Sequence, residues 1–291
     1  MKKIFYILAS SISLIILAMA LLVHPGFLLS EPLADLSGES KIDASLKKEL
    51  SLASDEIPFI MLFNQSQLPG RKEFQGVPLH MVRRYDIIPG VAVVGSPQTI
   101  RRLAREPWIK GLYPDGSVYV SGPVRSEDDF VGESPTSMVN ASYIWSQGIN
   151  GSGITVAVLD SGINQNHPDL IGKVVGEVNF VKDDETTNDL LGHGTMVAGI
   201  IAGSGEASGG KYVGVAPGAR LLNVRVIDSE GDGRDSDIIA GIEWALNNGA
   251  DIISLSLGGL DLGETNLPVT MAADNAMDAG AIVCVAAGNS G

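Results

Sequence analysis

Apolar and polar positions divide the chain into three stretches with different periodicities. Ile4 to Val23 runs without a charge behind Lys2 and Lys3, and apolar character persists to Leu29. Residues 57–120 alternate over short distances. Ile57 to Phe63, Leu79 to Tyr85, Ile87 to Val94 (interrupted at Pro89-Gly90) and Trp108 to Leu112 read as strands. Pro97 to Glu106 reads as a helix with Ile100 and Leu103 inward. A sheet with helix on one face makes this a small α+β domain. From residue 138 the runs lengthen. Ile154 to Leu159, closing in Asp160, is β-branched and continuous, the pattern of a parallel strand buried on both faces. Strands are predicted at 174–181, 219–227, 251–257 and 281–286, and helices at 195–203, 235–248 and 268–279. This alternation predicts an α/β domain over 138–291, a doubly wound, mostly parallel sheet.

The remaining segments read as connectors. Residues 31–56 are polar and mixed in charge, a linker on which Ile42, Leu46 and Leu50 are spaced for one amphipathic helix. A solvated spacer fits the same residues. Residues 121–137, with the acidic run Ser126-Glu127-Asp128-Asp129, read as an exposed second linker. At the front, residues 1–30 have a basic start, an apolar core and the small-residue triplet Ala18-Met19-Ala20. That combination reads as a secretory signal. The same stretch is long enough to span a bilayer uncleaved, since about 20 apolar residues suffice. The expected location is therefore extracellular, or anchored at the outer face of the cell membrane.

Charge sharpens this picture. Of the net −14, almost all lies in the second half: residues 1–120 carry 13 Lys+Arg against 11 Asp+Glu, and residues 121–291 carry 7 against 23. So acidic a domain argues against nucleic acid as a partner. The near-neutral small domain would meet little repulsion from it. With one cysteine, Cys284, no intramolecular disulfide forms, and its place in the run Ala281 to Ala287 predicts a buried small hydrophobe.

Two short motifs carry the candidate chemistry. Asp160 closes a strand, where open α/β sheets place their ligands. His193 stands just before the small-residue helix, in Gly192-His193-Gly194-Thr195-Met196-Val197-Ala198-Gly199. A carboxylate there can fix an imidazole's tautomer and stabilise it once charged, which makes a general base. Taken singly, Asp160 also fits a cap or turn residue, and His193 a satisfied core histidine. Together, Val158-Leu159-Asp160-Ser161-Gly162 and His193-Gly194-Thr195-Met196-Val197-Ala198-Gly199 resemble the Asp and His motifs of the subtilisin-like serine proteases, in that family's order.

The resemblance implies further roles. Residues 57–120 resemble the family's propeptide, an intramolecular inhibitor, on Tyr85 to Val94, with the processing cut in 121–137. Gly231 and Gly233, together with Ser256, Leu257 and Gly258, fall where the family's edge strands pair with an extended peptide substrate. Asp232 and Asp235 beside them hint at basic substrate side chains. Asn289 matches the oxyanion-hole asparagine. Catalysis in the family needs no cofactor. Asp183, Asp184, Glu185 and Asp189, with Asp169 apart, are acidic candidates for structural calcium, and equally acidic surface turns. The nucleophile's Gly-Thr-Ser-Met-Ala type motif is absent, so the expectation is a chain truncated before its serine. The alternative is an inactive homologue or fragment that binds peptide or propeptide.

Two other classes fit poorly. Gly151-Ser152-Gly153 precedes its strand, whereas a phosphate-cradling loop follows one and opens a helix. The four histidines at 24, 80, 167 and 193 lack zinc-ligand spacing.

Overall fold

β-Branched and aliphatic runs build two sheets, and the burial pattern shows what each is packed against. The structure, a computed structural model, describes residues 37–65, 68–70, 72–120, 135–182, 184–259 and 267–288. After a 3-10 turn at Glu39–Lys41 comes helix α1 (Ala44–Leu52), capped by Asp43, whose carboxylate accepts the Ser45 N–H at 2.8 Å. Strands β1 (Ile57–Phe63), β2 (Leu79–Arg84) and β3 (Gly90–Gly95), helix α2 (Pro97–Leu103), and strands β4 (Ile109–Pro114) and β5 (Ser117–Tyr119) follow. The first four strands form an antiparallel sheet of order β2-β3-β1-β4.

Side chains alternate across β1. Phe59, Met61 and Phe63 join Ile42, Leu46, Leu50, Ile100, Leu103 and Trp108 in a core beneath α1 and α2. This corrects the reading of residues 31–56 as a linker. Leu46 and Leu50 are 0% and 5% exposed, because an apolar sheet face stands opposite their stripe. Residues 31–36 lie outside the described part. The opposite face of β1, with Ile60 and Leu62, joins Tyr85, Ile88 and Ala92 in the core of the larger domain.

That larger domain runs through α3 (Pro135–Met138), α4 (Ala141–Ser146), β6 (Thr155–Asp160), β7 (Val174–Asn179), α5 (His193–Ala202), β8 (Arg220–Arg225) and β9 (Asp232–Arg234). It continues with α6 (Asp235–Asn247), β10 (Ile252–Leu255), β11 (Gly258–Gly259), α7 (Leu267–Asp278) and β12 (Ile282–Val285). Its sheet is parallel throughout, in the order β12-β10-β6-β8-β7. Val156, Val158 and Leu221 pack under α5 on one face. Ala157, Leu159, Leu222 and Val224 pack against α6 and α7 on the other. Helices on both faces make this the doubly wound α/β sheet that the alternation predicts. Every residue of β6 is buried. The chain leaves β6 for β7 and β8 on one side, then returns to β10 on the other. The carboxyl ends of β6 and β10 therefore form the crevice of a topological switch point.

Cys284 departs from expectation. It is exposed, because among the described residues β12 pairs with β10 alone, and Ile282 and Val285 beside it are 59% and 63% exposed. Among the described residues no helix is long and apolar enough to cross a membrane, and the candidate signal at 1–30 lies outside them.

Candidate active site

The continuous apolar run of β6 drives the strand through the core and delivers Asp160 to the crevice with its side chain 1% exposed. The Gly192-His193-Gly194 turn starts α5 directly opposite. Gly192 takes φ 95°, a conformation that costs glycine little. At Gly194 a Cβ would lie 2.1 Å from the Gly162 carbonyl oxygen and 3.1 Å from the Asp160 Cβ. Only glycine admits so close an approach of α5 to the strand end. The result is an imidazole Nδ1 2.7 Å from Asp160 Oδ1, with the His193 side chain 13% exposed.

In that arrangement the ring donates from Nδ1 to the carboxylate and leaves Nε2 as the basic nitrogen. The hydrogen bond to Asp160 holds the His193 pKa above the ordinary histidine value. Partial burial opposes the shift, and the charges of Asp160 and Asp189 add to it. Asp160 Oδ1 also accepts the Ser161 N–H at 2.7 Å, while Oδ2 is buried with no partner among the described residues. That leaves a concentrated negative charge facing an imidazole, an arrangement that favours the protonated ring.

Beside this pair lies a slot for extended backbone, and the chain itself fills it. Strand β5 is the middle strand of a three-stranded antiparallel sheet, β11-β5-β9. Val118 stands opposite Gly233, Tyr119 opposite Gly258, and the Val120 N–H donates to the Gly231 carbonyl at 3.1 Å. Ser256 and the buried Leu257 lead from β10 into β11. Gly231, Gly233 and Gly258 thus meet β5, a segment that the sequence did not reveal as a strand.

The small domain is fastened close by. Asp115 Oδ1 accepts the Ser236 N–H and its Oδ2 the Ser236 Oγ–H, both at 2.8 Å, at the start of α6. Asp235, read from sequence as facing substrate, is instead buried, with Oδ2 accepting the Gly116 N–H at 3.1 Å. Glu243 Oε2 accepts the Asp86 and Ile87 N–H groups at 2.7 and 2.8 Å. The Tyr85 hydroxyl donates to the Ser236 carbonyl at 3.0 Å. Arg83 meets Asp237 at 3.0 Å and lies over the Phe180 ring. Burial raises the Asp237 pKa to about 6, with Arg83 pulling the other way, and burial raises that of Asp115 as well.

Among the described residues the acidic calcium candidates are not brought together. Asp184 Oδ2 pairs with Arg225 at 2.8 Å, and Asp169 Oδ1 accepts the Ala207 N–H at 2.8 Å. Asp189 faces five N–H and O–H donors, a setting for an anion. Asp183 and the oxyanion candidate Asn289 lie outside the described residues. Among the described residues no three His, Cys, Asp or Glu side chains are grouped to hold a metal.

Comparison with known proteins points one way. The profile of the subtilase family matches residues 151–291. Serine protease AprX of Bacillus subtilis is 44% identical over 155 residues, 50% of this chain and 35% of its own length. Subtilisin E of the same species is 46% identical over 156 residues, 53% and 39% of the two chains. The thermostable alkaline protease of Halalkalibacterium halodurans is 30% identical over 233 residues, 80% and 60%. That last alignment is longer than the 151–291 segment, so the similarity reaches beyond the parallel-sheet domain. The chain spans less than two thirds of the length of each of these relatives. These similarities, with the parallel sheet, identify a subtilisin-like α/β fold.

Proposed function

We propose, with the subtilase match over residues 151–291 as premise, that this chain is the zymogen form of a secreted serine endopeptidase. In this reading His193 takes a proton from a serine hydroxyl supplied by sequence beyond Gly291. Asp160 orients the ring and stabilises the imidazolium, and Asn289 donates to the developing oxyanion. Removing one such donor costs about 10²–10³ in kcat, a magnitude known from subtilisin itself. The substrate is extended polypeptide, held by backbone pairing to β9 and β11. The small domain acts as intramolecular inhibitor by keeping β5 between those strands, and residues 121–137 contain the maturation cut. The observation that carries the reading is the 2.7 Å contact of His193 with Asp160, beside a slot already holding an extended strand of peptide.

A second reading keeps the slot without the chemistry, a homologue that binds peptide or propeptide and does not cut. In its favour, β9 and β11 hold β5 between them without any catalytic group taking part. A longer gene product, with the sequence that follows Gly291, separates the two. The protease reading expects fluorophosphonate labelling and peptide hydrolysis, with kcat falling about 10⁶-fold in His193→Ala, again a subtilisin magnitude. Absent labelling and absent hydrolysis would leave the binder, and hydrolysis that survives His193→Ala would overturn the role given to His193.

A further inference from the structure

One carboxylate outside the Asp160–His193 pair gathers more donors than either of them. Asp189 Oδ1 accepts the Ser161 Oγ–H at 2.9 Å, the Leu191 N–H at 3.0 Å and the Gly192 N–H at 2.7 Å. Its Oδ2 accepts the Thr195 N–H at 2.8 Å and the Thr195 Oγ–H at 2.6 Å. Three separate pieces of chain meet there: the end of β6 through Ser161, the loop before α5, and the first turn of α5.

Each contact answers a local need. Gly192 occupies the N-cap of α5 and has no side chain to satisfy the first N–H groups of the helix. Asp189 supplies that cap from three residues earlier. The contact to Ser161 extends it across to the strand. The Ser161 hydroxyl, donating to Asp189, accepts the Gly194 N–H at 3.0 Å and lies 3.2 Å from Asp160 Oδ1. The Thr195 hydroxyl, donating to Asp189, accepts the Asn164 N–H at 2.9 Å. The backbone on both sides of His193 is therefore tied, through two hydroxyls and one carboxylate, to the backbone that carries Asp160.

We propose that Asp189 is a positioning residue for His193, fixing the distance and angle at which the imidazole meets Asp160. Its importance for catalysis rests on the protease reading above; the anchor itself does not. A carboxylate is needed because both oxygens must accept. An asparagine would turn an NH₂ group toward either Thr195 or the Leu191-Gly192 amides. The negative charge of Asp189 also adds to the upward shift of the His193 pKa, after the larger contributions from Asp160.

Long-range ¹H–¹⁵N imidazole spectra of the 291-residue chain test this without needing activity. In the unaltered protein His193 should show the Nδ1–H tautomer, a low-field ring proton slow to exchange, and a midpoint above the ordinary histidine value. Asp189→Asn should abolish the low-field proton and lower the midpoint. Ser161→Ala removes one of the five contacts, together with the acceptor of the Gly194 N–H, and leaves the Gly192 and Thr195 amides capped by Asp189. It should shift both signals part of the way, and so decides the matter if Asp189→Asn does not fold. A low-field proton and midpoint unchanged in the folded variants would overturn the proposal. If the His193 signal moves in Asp189→Asn while hydrolysis by the longer product survives His193→Ala, the anchor stands and the catalytic role given to His193 falls. Unmoved signals, with hydrolysis lost in His193→Ala, overturn the anchor and leave the protease reading in place.

Discussion

Helices α5 and α6 both begin without a capping side chain of their own, and each is completed by a carboxylate from outside the helix. For α5 it is Asp189, in the loop just before it. For α6 it is Asp115, in the small domain, 121 residues before the Ser236 whose N–H it accepts. The physics at the two helix starts is the same: unpaired N–H groups and the positive end of a helix dipole accept an anion. The covalent distance differs. A cap supplied from the same loop stays while the domain stays folded. A cap supplied by another domain leaves when that domain leaves. One helix start is thus permanently set for His193, and the other is complete only while the small domain is docked.

The most damaging change should fall at the permanent start. Gly194→Ala places a methyl 2.1 Å from the Gly162 carbonyl oxygen, against backbone that cannot swing away. We expect a loss of about 3 kcal/mol in urea unfolding and loss of the His193 low-field proton. A variant of unchanged stability would show that α5 does not need its close approach to β6. At the removable start, Asp115→Ala leaves a Ser236 that is 2% exposed without a partner for its N–H or its hydroxyl. The expected cost is about 2 kcal/mol, with the His193 signal untouched. Movement of that signal would couple the two starts and blur the contrast.

The smallest effect concerns pH. Asp237 holds its proton up to about pH 6 when docked beside Arg83, above the ordinary carboxylate value of 3.8. Folding with the domain docked therefore takes up a proton, so this contribution is present at low pH and lost as pH rises from about 4 through about 6. Asp237→Asn should remove it. The Tm difference between unaltered protein and variant should move by about 2–4 °C over that interval, in the direction of a relatively less stable unaltered protein at higher pH. A constant difference would mean that Asp237 titrates normally.

The parallel-sheet domain was legible because its strands are long, apolar and individually distinctive. Asp160 and His193 stand at the ends of such elements, where a few residues of sequence fix their place. The small domain's outer helix was harder to place: Lys47, Lys48 and Glu49 make α1 resemble a spacer, and only the three-residue stripe of Ile42, Leu46 and Leu50 betrays its buried face. Strand β5 left almost no trace. It is three residues long, follows Pro114 and Gly116, and its pairing is with glycines more than 100 residues ahead. Asp189 was visible only as one acidic residue among several. Its five donors are mostly backbone amides, which no sequence pattern displays.

Strand β5 also sets how any outside peptide must compete. Because it shares a polypeptide with β9 and β11, it faces its slot at an effective concentration in the millimolar range, whatever the amount of protein in solution. A rival peptide must overcome that local excess before it pairs at all. One scission between β5 and the parallel-sheet domain would turn the same contact into an ordinary two-body equilibrium, and dilution alone would then begin to empty the slot.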